Sequence, residues 1–325
     1  MKNILILNAG TRNTLVRDFI KTVDGRCNVV LTDNYILAPA LYESDYHYVT
    51  KRWDEEGYWE EIEEICKKEK IGLVISLVDP ELELLAKEKQ RLEALGACVS
   101  IADEDVIRRT YDKYDTLEFV REHGYPWIKS YCNYQEVEQA LRNNELSFPV
   151  ITKPRRGSGS VGIEIVNDSD RLRHICQEHK DVIIQEYVTG QELGVDVYVD
   201  LITGDVVSIF AKKKLKMRAG ETDKSVSFKD EKLFQLITSF VKEFGLKGVN
   251  DIDVFEYDGE YYISEINPRF GGGYIHAYAA GVDFPQLLIN NMLGIQNDIR
   301  ITDYQEELYM MKYFDIKVRR KEELQ

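Results

Sequence analysis

Apolar residues keep two different rhythms along this chain. Over the first hundred residues, short continuous apolar runs alternate with stretches of helical period. Residues 3–8 (NILILN), 29–32, 73–77 and 97–101 are such runs, as expected of parallel strands buried on both faces. Between them, Leu15, Phe19, Ile20 and Val23 share one helical side, and Trp59, Ile62, Ile65 and Cys66 share another over residues 58–70. Asp79-Pro80 opens a further helix that runs through Leu95. This strand–helix alternation predicts a doubly wound parallel sheet over residues 1–108.

Beyond Arg109 the rhythm changes. Residues 112–123 read as a helix ended by Gly124, and shorter, more closely spaced elements follow. Residues 148–154 (FPVITKP) form a strand broken by one ammonium, Lys153, and 163–166 and 182–188 are further strands. Residues 193–202 and 205–214 alternate around Thr203-Gly204 as an antiparallel pair, and 219–223 read as a turn-rich loop. An amphipathic helix over 230–244 is stopped by Gly245, and helices are expected from about Ile275 and over 284–293. The pattern predicts an α+β region with mainly antiparallel sheets, divided as 109–187 and 188–325.

The stretch 249–273 (VNDIDVFEYDGEYYISEINPRFGGG) is a hairpin whose acids gather at the end away from its turn. A two-residue turn, Asp258-Gly259, would pair Tyr257 with Glu260 and set Asp253 and Glu265 on opposite faces. A three-residue turn would pair Asp251 with Glu265 and put Asp251, Asp253, Glu265 and Asn267 on one face, so that form is expected. Four oxygen-bearing side chains on one face suit a hard divalent cation. A solvated sheet end is the alternative, but Arg269 and Gly271–Gly273 add an anion ligand and a closely approachable backbone.

Two further features carry chemistry. After Lys153 comes Arg155-Arg156-Gly157-Ser158-Gly159-Ser160-Val161-Gly162, a loop whose backbone N–H groups could wrap a phosphate. It is not a Walker A loop, because Gly162 leads into a strand rather than a helix. The second is the run Lys212, Lys213, Lys214, Lys216 and Arg218, which on its own also fits a solvated edge strand. At the first strand end GxGxxG is absent, which argues against a nicotinamide-dependent dehydrogenase.

Composition narrows the classes. The 325 residues are 44% hydrophobic, with 42 basic and 57 acidic side chains and a net charge of −15. Such an acidic surface disfavours nucleic acid or an anionic membrane as partner. The five cysteines lie too far apart for a zinc site or a disulfide framework, and no apolar run spans a bilayer. A reduced, cytoplasmic protein is expected, with a homodimer as the base-rate assembly.

Taken in order, Lys113, Lys153, the Gly/Ser loop, Glu186, Glu192, Asp253, Glu265, Asn267 and Arg269 resemble the ATP-grasp enzymes. The likeness is closest to the carbamoyl-phosphate-synthase-like carboxylate–amine ligases and covers nearly the whole chain. It implies a pre-ATP-grasp domain followed by the two lobes of the grasp. Lys113 and Lys153 then match phosphate-binding lysines, and Gly157, Ser158, Gly159, Ser160 and Gly162 the loop that covers the phosphates. Glu186, Tyr187 and Val188 match the adenine-reading hinge, and Glu192 the ribose-binding acid. Asp253, Glu265 and Asn267 match the ligands of magnesium, two ions being expected and manganese being an acceptable substitute. Carbamoyl phosphate synthases usually have glutamine where Asp253 stands. Arg218 and Arg269, with Lys212 or Lys214, match cations near the transferred phosphoryl group.

The activity implied is ADP-forming ligation of a small-molecule carboxylate to an amine through an acyl phosphate. Alternatives are a single module acting on bicarbonate or carbamate, and an ATP-binding protein without catalysis. Candidate substrate contacts are Asn8, Gly10 and Thr11 after the first strand, Asp79 and Glu81 after the third, and Gly271, Gly272, Gly273 and His276.

Overall fold

The structure is a computed structural model and describes residues 1–157 and 162–324. Its first layer is a parallel sheet. Strand β1 (Asn3–Leu7) is followed by helix α1 (Asn13–Val23), β2 (Val29–Asp33), β3 (His47–Val49), α2 (Tyr58–Lys68), β4 (Ile71–Ser76), α3 (Asp79–Glu93) and β5 (Cys98–Val99). The strand order is β3-β2-β1-β4-β5, every neighbouring pair parallel. Its central strands are buried because both faces are covered, which is why they read as unbroken apolar runs. Strand β3 was not predicted. Its three residues (HYV) are half-buried or exposed at the sheet edge and carry no such run.

Helix α4 (Glu104–Tyr111) leads to α5 (Lys113–Glu122), whose N-cap Asp112 accepts from the backbone N–H of Tyr114 and Asp115. A four-stranded antiparallel sheet follows. It contains β6 (Ser130–Tyr131), β7 (Val150–Pro154), β8 (Glu164–Val166) and β9 (Val182–Glu186), in the order β6-β9-β7-β8. Helices α6 (Tyr134–Arg142) and α7 (Ser169–Glu178) cover one face, closing a separate small core around Val137, Val150, Leu172 and Ile184.

The second antiparallel sheet has six strands. These are β10 (Gln191–Val199), β11 (Val206–Arg218), β12 (Glu221–Phe228), then after α8 (Glu231–Phe244) β13 (Gly248–Tyr257) and β14 (Glu260–Asn267). After α9 (Ile275–Ala279) and α10 (Phe284–Met292), β15 (Tyr309–Met311) returns to the edge, giving the order β14-β13-β10-β11-β12-β15. The segment expected as a loop at 219–223 is instead a tight turn and the start of a strand. Ala219 and Gly220 take positive φ (50° and 77°), and Glu221 already pairs with Arg218. No helix among the described residues is long and apolar enough to cross a membrane.

Candidate functional site

A cleft of about 750 Å³ separates the four-stranded sheet from β13 and β14. Its floor is apolar at one end, with Ile151, Val188 and Phe255, and charged at the other, with Lys113, Lys153, Asp253 and Glu265. Position follows from local structure. Lys113 is held at the first turn of α5, because Arg155 Nε clasps its N-cap Asp112 at 2.6 and 2.7 Å. Its ammonium reaches Glu265 Oε1 at 3.3 Å and donates to the carbonyl of Gly157. Lys153 is buried on β7, and that burial pulls its ammonium down to about 8, with Lys113 adding to the shift and Glu265 opposing it. Arg156 and Gly157 also line the cleft, and Gly162 (φ +76°) lies so near Pro154 that a Cβ there would fall 2.9 Å from Cγ. Ser158, Gly159 and Ser160 lie outside the described residues.

Glu186, Tyr187 and Val188 line the apolar end, where β9 gives way to the six-stranded sheet. The backbone is fixed there by Glu186 N–H to Lys129 O at 2.9 Å, and Gly190 is needed because a Cβ would meet Glu256 O at 2.4 Å. Glu192, the second residue of β10, accepts from Lys214 Nζ at 2.8 Å. Lys214 also donates to Asp253 Oδ1 at 2.7 Å. Burial would discharge this ammonium, but Asp253 and Glu192 overcome it and hold it above the ordinary lysine range. Two strand positions away, Lys212 is fully buried in an ion pair with Asp196, beneath Gly194 and Gly273. Of the two lysines, Lys214 is the one that lines the acidic site.

The hairpin corrects one expectation and explains it. Its turn is the two-residue form: Asp258 and Gly259 both take positive φ (51° and 74°) and Tyr257 pairs with Glu260. The acids nevertheless share a face. Register runs unbroken to Val254–Ile263, then shifts so that Asp253 pairs with Glu265 and Asp251 with Asn267, not Asp251 with Glu265. Ser264 is the extra residue of a β-bulge, and it supplies the one-residue offset that the three-residue turn was expected to give. Burial first, then the neighbouring Asp251 and Glu265, push the Asp253 carboxyl up to about 6 against the pull of Lys214.

Among the described residues, no three His, Cys, Asp or Glu side chains form a ready cation cage. Asp253, Glu265 and the Asn267 amide, with Glu192, Glu221 and Asp251, do line one small cavity. This all-oxygen set fits magnesium, which binds through one or two carboxylates and completes its shell with phosphate and water.

Cations frame the other side. Arg269 keeps only 10% of its side chain exposed and donates to Asp79 Oδ2 at 2.7 Å and to Phe270 O at 3.0 Å, while its Nε has no partner among the described residues. Asp79 is thereby an arginine partner more than a free substrate contact. Arg12 was not singled out from the sequence. It lines the same small cavity as Asp251, Asp253, Glu265 and Asn267 and pairs with Glu221 at 3.0 Å. Its place just after β1, at a carboxyl strand end, was the available signal. The glycine run lets the chain pass close: Cβ atoms at Gly271 and Gly272 would sit 2.4 Å from Asp251 and 2.6 Å from Glu221.

Three expected contacts lie elsewhere. Arg218 pairs with Asp223 at 3.0 Å and faces a neighbouring cavity, since β11 twists through a bulged register at Lys214–Met217. Glu81 is wholly buried, taking hydrogen bonds from Asn8, Tyr58 and Ser76, and burial raises its carboxyl. His276 is buried between Ser225 Oγ (2.8 Å) and Leu308 O (2.9 Å), and burial lowers its imidazole to about 4. Both are satisfied interior groups. Gly10 (φ +53°) donates its N–H to Asp33 Oδ2 at 2.8 Å, and Thr11 is exposed beside the cavity that Arg218 faces.

The parallel-sheet domain, the two antiparallel lobes and the charged cleft between them define a class: three-part α/β proteins with a site between two lobes. Residues 110–273 match the ATP-grasp domain and residues 4–101 the PylC-like N-terminal domain. The chain belongs to the ATP-grasp family. It is 27% identical over 79% of its length to the carbamoyl phosphate synthase large chain of Clostridium beijerinckii. It spans only a quarter of that relative. It is 25% identical over 61% of its length to a D-alanine–D-alanine ligase of Thermotoga petrophila, 71% of which is covered. Among solved structures, the fold is similar to the biotin carboxylase domain of Hydrogenobacter thermophilus 2-oxoglutarate carboxylase, in complex with MgADP, ADP and bicarbonate. The TM-score is 0.76 at 18% identity, over 95% of this chain and 73% of that one. It is also similar to an L-amino acid ligase of Bacillus licheniformis, with TM-score 0.70 and 18% identity over 93% and 78% of the chains.

Proposed function

We propose that this protein is an ATP- and magnesium-dependent ligase that joins a carboxylate to an amine by way of an acyl phosphate. Residues 1–108 would serve as the pre-ATP-grasp domain, 109–187 as the small lobe and 188–325 as the large lobe, acting in the cytoplasm. One observation carries the reading. Lys113 and Lys153 meet Glu265 and Asp253 at one end of the 750 Å³ cleft, and Glu186–Val188 line the other. A nucleotide triphosphate has that polarity, with an apolar base at one end and anionic phosphates at the other.

The chemistry needs these residue types. A carboxylate is a poor acceptor of nucleophiles because oxide would have to leave. When its oxygen attacks the γ-phosphorus, the bond to the β-phosphate bridging oxygen breaks and ADP departs. The amine nitrogen then attacks the acyl carbon, the bond to phosphate oxygen breaks, and inorganic phosphate leaves. An ammonium and a carboxylate with ATP give amide, ADP, hydrogen phosphate and one proton. Lys113 and Lys153 orient the triphosphate, while Arg12 and Arg269 balance charge on the moving phosphoryl group. Magnesium held by Asp253, Glu265 and Asn267, as two ions or with manganese in its place, would neutralise phosphate charge.

Hydroxylamine tests this without knowledge of the amine, since it intercepts acyl phosphates as hydroxamates. The full chain with ATP, magnesium, hydroxylamine and a panel of carboxylates should release ADP and form a hydroxamate. Lys153→Ala and Glu265→Ala should each lower that rate by about 100-fold or more, the scale of losing one transition-state contact. ADP release by the Glu265 variant at the parent rate contradicts the metal assignment.

A further inference from the structure

We propose that the C-terminal segment after β15 forms the outer wall of the acceptor-amine pocket and selects a zwitterion with a large apolar side chain. This rests on the ligase reading above. The segment lies beyond the matched family regions, which end at residue 273. It leaves the six-stranded sheet and crosses to the N-terminal domain. Lys312 is anchored to the sheet by Glu221 at 2.9 Å and by its own N–H to Asp223 O at 2.9 Å. Five residues on, Lys317 pairs with Glu43 at 3.1 Å, and Arg319 donates to Tyr42 O at 3.2 Å.

Beneath this strap is a cavity of about 570 Å³, walled by the N-terminal domain, the β11–β12 turn and the strap itself. Glu221 and Thr222 line both this cavity and the small one that holds Asp251, Asp253, Glu265 and Asn267. A molecule here can therefore present one end to the reacting carbonyl.

Two properties of the wall define its ligand. Charge is balanced: four cationic and four acidic side chains line it, among them the pairs Arg218–Asp223 and Lys312–Glu221. A balanced lining has a partner for each end of a zwitterion. The second property is aromatic. Tyr313 and Phe314 line the cavity yet are 85% and 83% exposed, with the Arg218 guanidinium 4.8 Å from the Phe314 ring. Two aromatic faces left open to solvent are unfavourable, and an apolar side chain seated in the cavity would cover them. An α-amino acid with a large side chain fits all of this: ammonium toward Glu221, carboxylate toward Arg218, side chain against Tyr313 and Phe314.

Calorimetric titration of the full chain, saturated with magnesium and a non-hydrolysable ATP analogue, tests the assignment. The probes are L-phenylalanine, L-leucine and L-methionine, against glycine, N-acetyl-L-phenylalanine and phenethylamine. At least one large amino acid should bind tenfold or more tighter than glycine. Loss of its ammonium or carboxylate should weaken binding at least tenfold. Phe314→Ala should weaken it similarly and Phe314→Trp should retain it, with affinity for the nucleotide analogue unchanged in both. The proposal is overturned if no large amino acid outbinds glycine, or if Phe314→Ala binds as the parent does. The nucleotide titration reads the ligase assignment separately, so failure of one is distinguishable from failure of the other.

Discussion

Lys153 carries the sharpest consequence at the residue scale. In the free protein its ammonium titrates near 8, because burial outweighs Glu265. A bound triphosphate would favour the charged form and raise that value. Below pH 8 the lysine is already charged and this group adds no pH dependence to ATP binding. Above pH 8 binding must take up a proton, so affinity should fall by about tenfold per pH unit until the value in the complex is reached. Calorimetry at pH 9 in buffers of different ionisation heat should show close to one proton taken up, and Lys153→Arg should abolish it. Equal uptake in the arginine variant rules out Lys153 as the source. Lys153 and the hairpin acids stand out in the sequence, because a lysine interrupting an apolar strand or acids gathered at one end of a hairpin break the ordinary pattern. His276 and Glu81 were misread for a physical reason. A polar residue at an element end has the same sequence signature whether it meets a ligand or, as here, Ser225 and Leu308 or Asn8 and Tyr58.

At the scale of elements, the β13–β14 hairpin shows how one residue positions a site. The turn and the alternation together would have sent Asp253 and Glu265 to opposite faces, and the bulge at Ser264 reverses that. Alternation is visible in a sequence, but a bulge without glycine is not, since serine occurs as readily in a regular strand. Removing Ser264 should therefore make the pairing unbroken with Glu265 directly opposite Asp253, still on its face. Magnesium-dependent nucleotide binding should persist in the deletion variant, with far-ultraviolet circular dichroism close to that of the parent. Lost magnesium dependence would mean that the pairing of Glu265 with Asp253 is not what sets the metal ligands. The long runs of β1 and β4 were the most legible elements, whereas β3, β6 and β15, of two or three residues each, exist through pairing with neighbours. Short strands carry too little periodicity to be read alone.

Across the whole molecule, the nucleotide cleft joins two lobes, and the third component, the parallel sheet, contributes Arg12 and Asp79 to its reacting end. That convergence of three regions was beyond the reach of local pattern, because no spacing in the chain relates Arg12 to residues 251–273. In the proposed reading it also separates this protein from a passive nucleotide binder. A binder needs Lys113, Lys153 and the hinge, but has no use for two arginines and three oxygen ligands gathered where the γ-phosphate would lie. The direct measurement is isotopic. With the carboxylate found by hydroxylamine trapping labelled in both oxygens with oxygen-18, one labelled oxygen should appear in each inorganic phosphate released. Unlabelled phosphate, with ADP formed at the same rate, would mean that the carboxylate never attacks phosphorus and would contradict the acyl phosphate route.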